Sequence, residues 1–157
     1  MKKLLLSLIT LTFITLSALA DGQQEALDFF NSYVDAANTY SPTITDMYSP
    51  DAKIIRQIIK PDGTTANATT DTATYIKQMK LGQATAKLRK YKNTYTNVVV
   101  SSLGNDTYKI SSLRQPSGED YKLKTYMIVK KQSNGRWLII EELMQTKVQM
   151  FLKYADK

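Results

Sequence analysis

From Tyr95 to Gln145 the chain reads as strands in unbroken succession, and a meander of that length can bury one face only if other elements cover it. The last hairpin is the most legible part. Tyr121–Lys131 and Arg136–Gln145 are rich in β-branched, aromatic and aliphatic residues, with Asn134-Gly135 between them. Asn and Gly best tolerate the two positive φ angles of a type I′ turn, so a two-residue loop is expected, with Ser133 facing Arg136. Val129 would then oppose Ile140, Met127 would oppose Glu142, and Thr125 would oppose Met144. One face carries Leu123, Met127, Val129, Leu138, Ile140 and Met144; the other carries Lys122, Lys124, Tyr126, Lys130, Trp137 and Glu141. The first is the better core face, and Glu142 is the carboxylate on it. Upstream, Tyr108–Gln115 is placed so that Tyr108, Ile110, Ser112 and Arg114 share that face; a one-residue slip would move them all to the other. Thr94–Leu103 comes before it, with Gly104-Asn105 as the turn.

The covering elements come from the first half. Leu27, Phe30, Val34 and Ala37 recur at helical spacing, so Gln23–Tyr40 is expected to be an amphipathic helix. Ser41-Pro42 suits the cap and first position of a short second helix through Tyr48, ended by Ser49-Pro50-Asp51. Ala52–Ile59 alternates as a strand with Ile54, Arg56 and Ile58 on one side; Pro61-Asp62-Gly63 is a turn, and Thr64–Thr70 returns as an edge strand. Asp71 is the expected cap of a third helix, Thr72–Leu81, which Gly82 would end. Gln83–Asn93 is read as a basic loop, and the tail around Val148, Phe151 and Leu152 as a short helix.

Met1–Ala20 has the layout of a cleavable targeting signal. Lys2 and Lys3 precede the apolar run Leu4–Leu16, and Ala18-Leu19-Ala20 is a small-residue cleavage site. Cleavage after Ala20 would leave 137 residues as one domain and lower the formal charge from +7 to +5, in the periplasm or secreted. The chain has no cysteine and no histidine. Disulfides, Ser–His and Cys–His arrangements and the commonest metal ligand are therefore excluded, and no metal or cofactor is expected.

Three helices and a hairpin followed by a long-stranded meander is the order of the nuclear-transport-factor-2-like cone, shared by SnoaL-like proteins and ketosteroid isomerases. Asp46-Met47-Tyr48-Ser49-Pro50-Asp51-Ala52-Lys53-Ile54 resembles that superfamily's second helix running into its first strand. Lys60-Pro61-Asp62-Gly63 resembles its first hairpin turn, and Asn134-Gly135-Arg136-Trp137-Leu138-Ile139 its closing strand. The resemblance implies an α+β fold: three N-terminal helices packed on a strongly curved, mostly antiparallel sheet. It does not imply an activity, because this fold serves enzymes, binding modules and assembly domains alike. The His–Asp pattern of the SnoaL-like cyclases is absent. The ketosteroid isomerase acids have no counterpart either, since Asp106 and Asp120 fall in expected turns.

Within a cone, Arg114 and Glu142 are a candidate pair for a polar ligand group or for acid–base work, which makes Glu142 the catalytic candidate. Tyr33, Tyr48, Tyr75, Tyr108 and Tyr126 are candidates to line a site for a small apolar or aromatic ligand, with Met127 on the same face and Arg56 at its mouth. Lys77, Lys80, Lys87, Arg89, Lys90 and Lys92 form a basic patch that would suit an anionic envelope surface or a protein partner; no nucleic-acid motif accompanies it. Tyr126, Ile128, Trp137 and Ile139 offer a sheet face for a homodimer. The expectation is a non-catalytic ligand-binding or envelope interaction module. The alternatives are a small-molecule isomerase, dehydratase or hydrolase, and a dimeric assembly domain.

Overall fold

The computed structural model describes residues 2–157, with side chains from residue 20 onward. The expected targeting segment therefore lies outside the described side chains; its backbone is continuous with the first helix. The elements run α1 (Lys2–Asn38), a 3₁₀ turn (Pro42–Met47), β1 (Tyr48–Ile59), β2 (Thr65–Thr70), α2 (Thr72–Leu88), β3 (Asn93–Gly104), β4 (Thr107–Pro116), β5 (Leu123–Lys131), β6 (Trp137–Thr146) and a second 3₁₀ turn (Gln149–Tyr154). The sheet has the order β2-β1-β6-β5-β4-β3. It ends in two edges and so stays open. Every pairing is antiparallel except β1 with β6, which join in parallel across most of the chain. That parallel pair places the front of the domain against its last strand.

The helices cover the sheet's concave face. Ala26, Phe30 and Tyr33 of α1 are buried against Ile54, Ile110, Met127, Val129 and Ile139. Burial of each such large aliphatic side chain contributes about 1.5–3 kcal/mol. The predicted caps form: Thr43 N–H donates to Ser41 Oγ, and Thr74 N–H to Asp71 Oδ1 at 2.8 Å. Pro61-Asp62-Gly63 closes the β1–β2 turn, with Lys60 N–H donating to the Thr64 carbonyl.

Several boundaries differ from expectation. Ser49-Pro50-Asp51 does not interrupt the chain but lies in β1. Gly82 does not end α2, which runs through it to Leu88, so most of the expected basic loop is helix. Both helices instead close on non-glycine residues in the left-handed region, Tyr40 (φ 58) and Lys90 (φ 51). At each end the two paired carbonyl bonds of a Schellman motif are present: Tyr40 N–H to Ala37 and Ser41 N–H to Ala36, and Lys90 N–H to Lys87 and Tyr91 N–H to Ala86.

The hairpin turns are exchanged relative to expectation. The two-residue loop with both φ angles positive is Asn105-Asp106, between Gly104 and Thr107. Asn134-Gly135 belongs to a longer loop in which only Gly135 is left-handed and its N–H donates to the Gln132 carbonyl. Val129 therefore opposes Ile139 rather than Ile140. A bulge at Ile140 then restores the expected register, so Met127 opposes Glu142 and Thr125 opposes Met144. Residues before the bulge change sides as a result. Ile139 is fully buried, Ile140 only half, and Trp137 packs on the inner side against Tyr108.

Candidate functional site

Parallel pairing sets Ile54 opposite Glu142 and Arg56 opposite Met144, which brings Arg56 and Glu142 onto the concave face together. Arg56 Nη1 donates to Glu142 Oε1 at 3.1 Å, and the Glu142 side chain is fully buried. Glu142 Oε2 accepts a short hydrogen bond from the Tyr48 hydroxyl, and the Tyr33 hydroxyl lies 3.5 Å from it. Tyr75 stacks edge-on to Tyr48, and the Arg56 guanidinium lies 4.8 Å from the Tyr75 ring centroid. Burial, then the neighbouring Glu142 charge, holds the Tyr33 and Tyr48 phenols well above the ordinary tyrosine range, so both remain donors. Burial alone would lower the Arg56 pKa, but Tyr75 and Glu142 outweigh it and the net direction is upward.

Arg114 also enters the cone, as the preferred register requires, and it is 7% exposed. It does not meet Glu142. Its Nη1 donates to Asn93 Oδ1 at 2.9 Å and weakly to the Tyr91 hydroxyl, and its Nη2 donates to the Gln145 carbonyl at 2.8 Å. Asn93 is held for this by a reciprocal pair with Asn38, whose side chain bonds both its N–H and its carbonyl. The expected Arg114–Glu142 pair is thus replaced by Arg56–Glu142. Local pattern could not have found that pairing, because it depends on a strand crossover some ninety residues long.

Above these groups lies a cavity of about 460 Å³. Of the candidate residues, Tyr33, Arg56, Tyr75 and Arg114 line it, together with Met79, Met144 and Phe151. Tyr108 and Met127 do not. Tyr108 is buried under α1, where a Cβ at Gly22 would collide with its hydroxyl, and Met127 lies deeper in the core. Glu142 is sealed beneath the cavity rather than on its wall. Tyr126 is on the convex side, bonded to Glu141 at 2.6 Å, its phenol pushed up to about 12 by burial and that bond.

Sequence reasoning missed Tyr40, Gln83, Tyr91 and Asn93, all on the cavity wall. The two tyrosines flank the helix-ending turns, where the sequence carries no glycine to mark a stop. The Tyr40 hydroxyl is buried with no hydrogen-bond partner among the described residues, and Gln83 ties α2 to the Tyr40 carbonyl. Lys77, Lys80, Lys87, Arg89, Lys90 and Lys92 are exposed along α2 and the following turn, and of these Lys80 also borders the cavity. The sheet face expected to dimerise is reduced, because Ile139 and Trp137 turn inward.

No protein-family model matches the sequence, and no curated protein matches it. Solved structures do. An NTF2-like protein of unknown function from Shewanella oneidensis aligns with a TM-score of 0.59 at 12% identity, over 78% of this chain and 98% of that one. A scytalone dehydratase-like protein of Novosphingobium aromaticivorans aligns at 0.54 and 13%, over 83% and 86%. A ketosteroid isomerase-like protein of Shewanella frigidimarina aligns at 0.55 and 16%, over 74% and 91%. At such identities the likeness speaks to architecture alone, and it agrees with the open, curled sheet and its covering helices: the chain has the nuclear-transport-factor-2-like fold.

Proposed function

We propose that this is an exported protein that holds a small, partly apolar molecule inside the cone and does no chemistry on it. The observation that carries the reading is the state of the inner-face carboxylate. Glu142 is fully buried, bonded to Arg56 and Tyr48, and absent from the cavity wall. An acid or base must reach the atom it protonates or deprotonates, directly or through one water. The wall itself offers aromatic and aliphatic surface with a few polar groups, the usual make-up of a ligand pocket, at a volume within the common range. Export rests on the charged, apolar and small-residue order of Met1–Ala20. The contacts that anchor the front of α1, Glu25 with Lys131 and Trp137, lie after the proposed cleavage point and would survive it.

Native mass spectrometry of the protein purified from the cell envelope tests both parts. One retained small molecule per chain, on a polypeptide lacking 20 residues, is the expected result. The second reading, an isomerase or dehydratase, draws on the scytalone dehydratase-like and ketosteroid isomerase-like neighbours. Recovery of the bound compound as a mixture of substrate and product would replace the binding reading with that one.

A further inference from the structure

The cavity holds two arginines in unlike electrostatic settings. Arg56 has a carboxylate at 3.1 Å and a tyrosine ring under its guanidinium. Arg114 is 93% buried, and no carboxylate lies within ion-pair distance of it among the described residues. A guanidinium carries five N–H groups and cannot shed its charge. Asn93, Tyr91 and Gln145 take up three of them, all as neutral acceptors. The Nε atom is buried and has no acceptor among the described residues. A buried cation left without a counter-charge is costly, and a purely structural clamp between β3 and β6 would not need the charge at all.

We infer that the ligand is an amphipathic carboxylic acid whose carboxylate seats on the Arg114 guanidinium while its apolar body lies against the cone's aromatic wall. This rests on the ligand-binding reading above and deepens it. A planar carboxylate matches the two adjacent N–H groups that a guanidinium presents along one edge, and one negative charge balances the one unmatched positive charge. A phosphate dianion would need donors beyond those left on Arg114. Glu142, fully buried beneath the cavity, is already paired with Arg56, so the charge facing the cavity is positive. Exposed Lys80 on the wall adds to it and would draw an anion in. The Tyr40 hydroxyl, also buried without a partner on that wall, is a second polar contact for the occupant.

Calorimetric titration of benzoate, 2-naphthoate and decanoate against their primary amides decides the matter. The acids should bind ten- to a hundredfold more tightly than the amides, because a charge-assisted bond replaces a neutral one. In Arg114→Met the ratio should fall to within threefold, while Tyr40→Phe should weaken acid and amide alike and keep their ratio. Amides that bind wild-type protein as tightly as the acids would overturn the Arg114 seat and leave the cone a neutral ligand site. A ratio that survives Arg114→Met would overturn it equally. Binding by none of the six, with no retained mass in the native spectrum, would overturn the ligand reading and this one with it. If Arg114→Met does not fold, Arg114→Gln, which keeps N–H donors without the charge, takes its place, and the same fall in the ratio is expected of it.

Discussion

Glu142 and Arg114 are both buried ionisable side chains in the cone, but the structure gives them different work. Glu142, on β6, is held by Arg56 and Tyr48 of β1 and Tyr33 of α1, so it ties the covering layer to the sheet. Removing its charge leaves the Arg56 guanidinium, 19% exposed, without a counter-ion. Breaking a buried pair from one side costs roughly 3–5 kcal/mol, and the partial exposure of Arg56 puts this case near the lower bound. Glu142→Gln should therefore lower the unfolding free energy by about 3 kcal/mol in urea, with an unchanged m-value. A loss below about 1 kcal/mol would mean that Arg56 turns out to solvent and that the pair does not hold the cone together.

At the level of elements, the strands were readable because each carries its own period-two pattern, and their faces were correctly assigned along β4, β5 and the part of β6 beyond the bulge, but not along Trp137–Ile140 before it. The inward facing of Tyr108, Ile110, Ser112 and Arg114 came from that logic. The exchanged turns were not readable: Asn-Gly favours type I′ but also fits a longer loop with one left-handed residue, and the bulge at Ile140 absorbs the difference. The Arg56–Glu142 pair was hidden for another reason, since it depends on β1 joining β6 in parallel, and neither strand's own residues specify that neighbour. Gly82 misled because glycine is the commonest helix terminator, yet α2 passes through it with an ordinary helical φ. A Cβ built there meets nothing within 4 Å. Gly82→Ala should accordingly stabilise the protein by about 0.5–1 kcal/mol, read as a rise in Tm. A fall in Tm would instead place Gly82 at a helix end with a left-handed backbone.

Across the whole molecule, the polar centre of the cone draws on nearly every layer: Tyr33 from α1, Tyr48 and Arg56 from β1, Tyr75 from α2 and Glu142 from β6. A core organised around neutral phenols beside a carboxylate has a predictable weakness in alkali. Tyr33 and Tyr48 are held well above the ordinary phenol range, first by burial and then by Glu142, and burial also raises Tyr75 and Tyr95. The unfolded chain releases these protons near pH 10 while the folded chain keeps them. Their contribution is complete below pH 10, and above it the unfolded state binds fewer protons, so stability falls as pH rises. The slope for each such phenol grows towards about 1.4 kcal/mol per pH unit once the pH is well past 10, so stability falls ever more steeply as Tyr33 and Tyr48 are carried into alkali. Phenolate absorbance at 295 nm, followed beside near-ultraviolet circular dichroism, reads the two processes separately. Of the ten tyrosines, the buried set should ionise only as the dichroism is lost, and in one cooperative step. Smooth ionisation of all ten with the dichroism intact would show that the phenols around Glu142 reach solvent without unfolding, and that the cone is not closed around its polar centre.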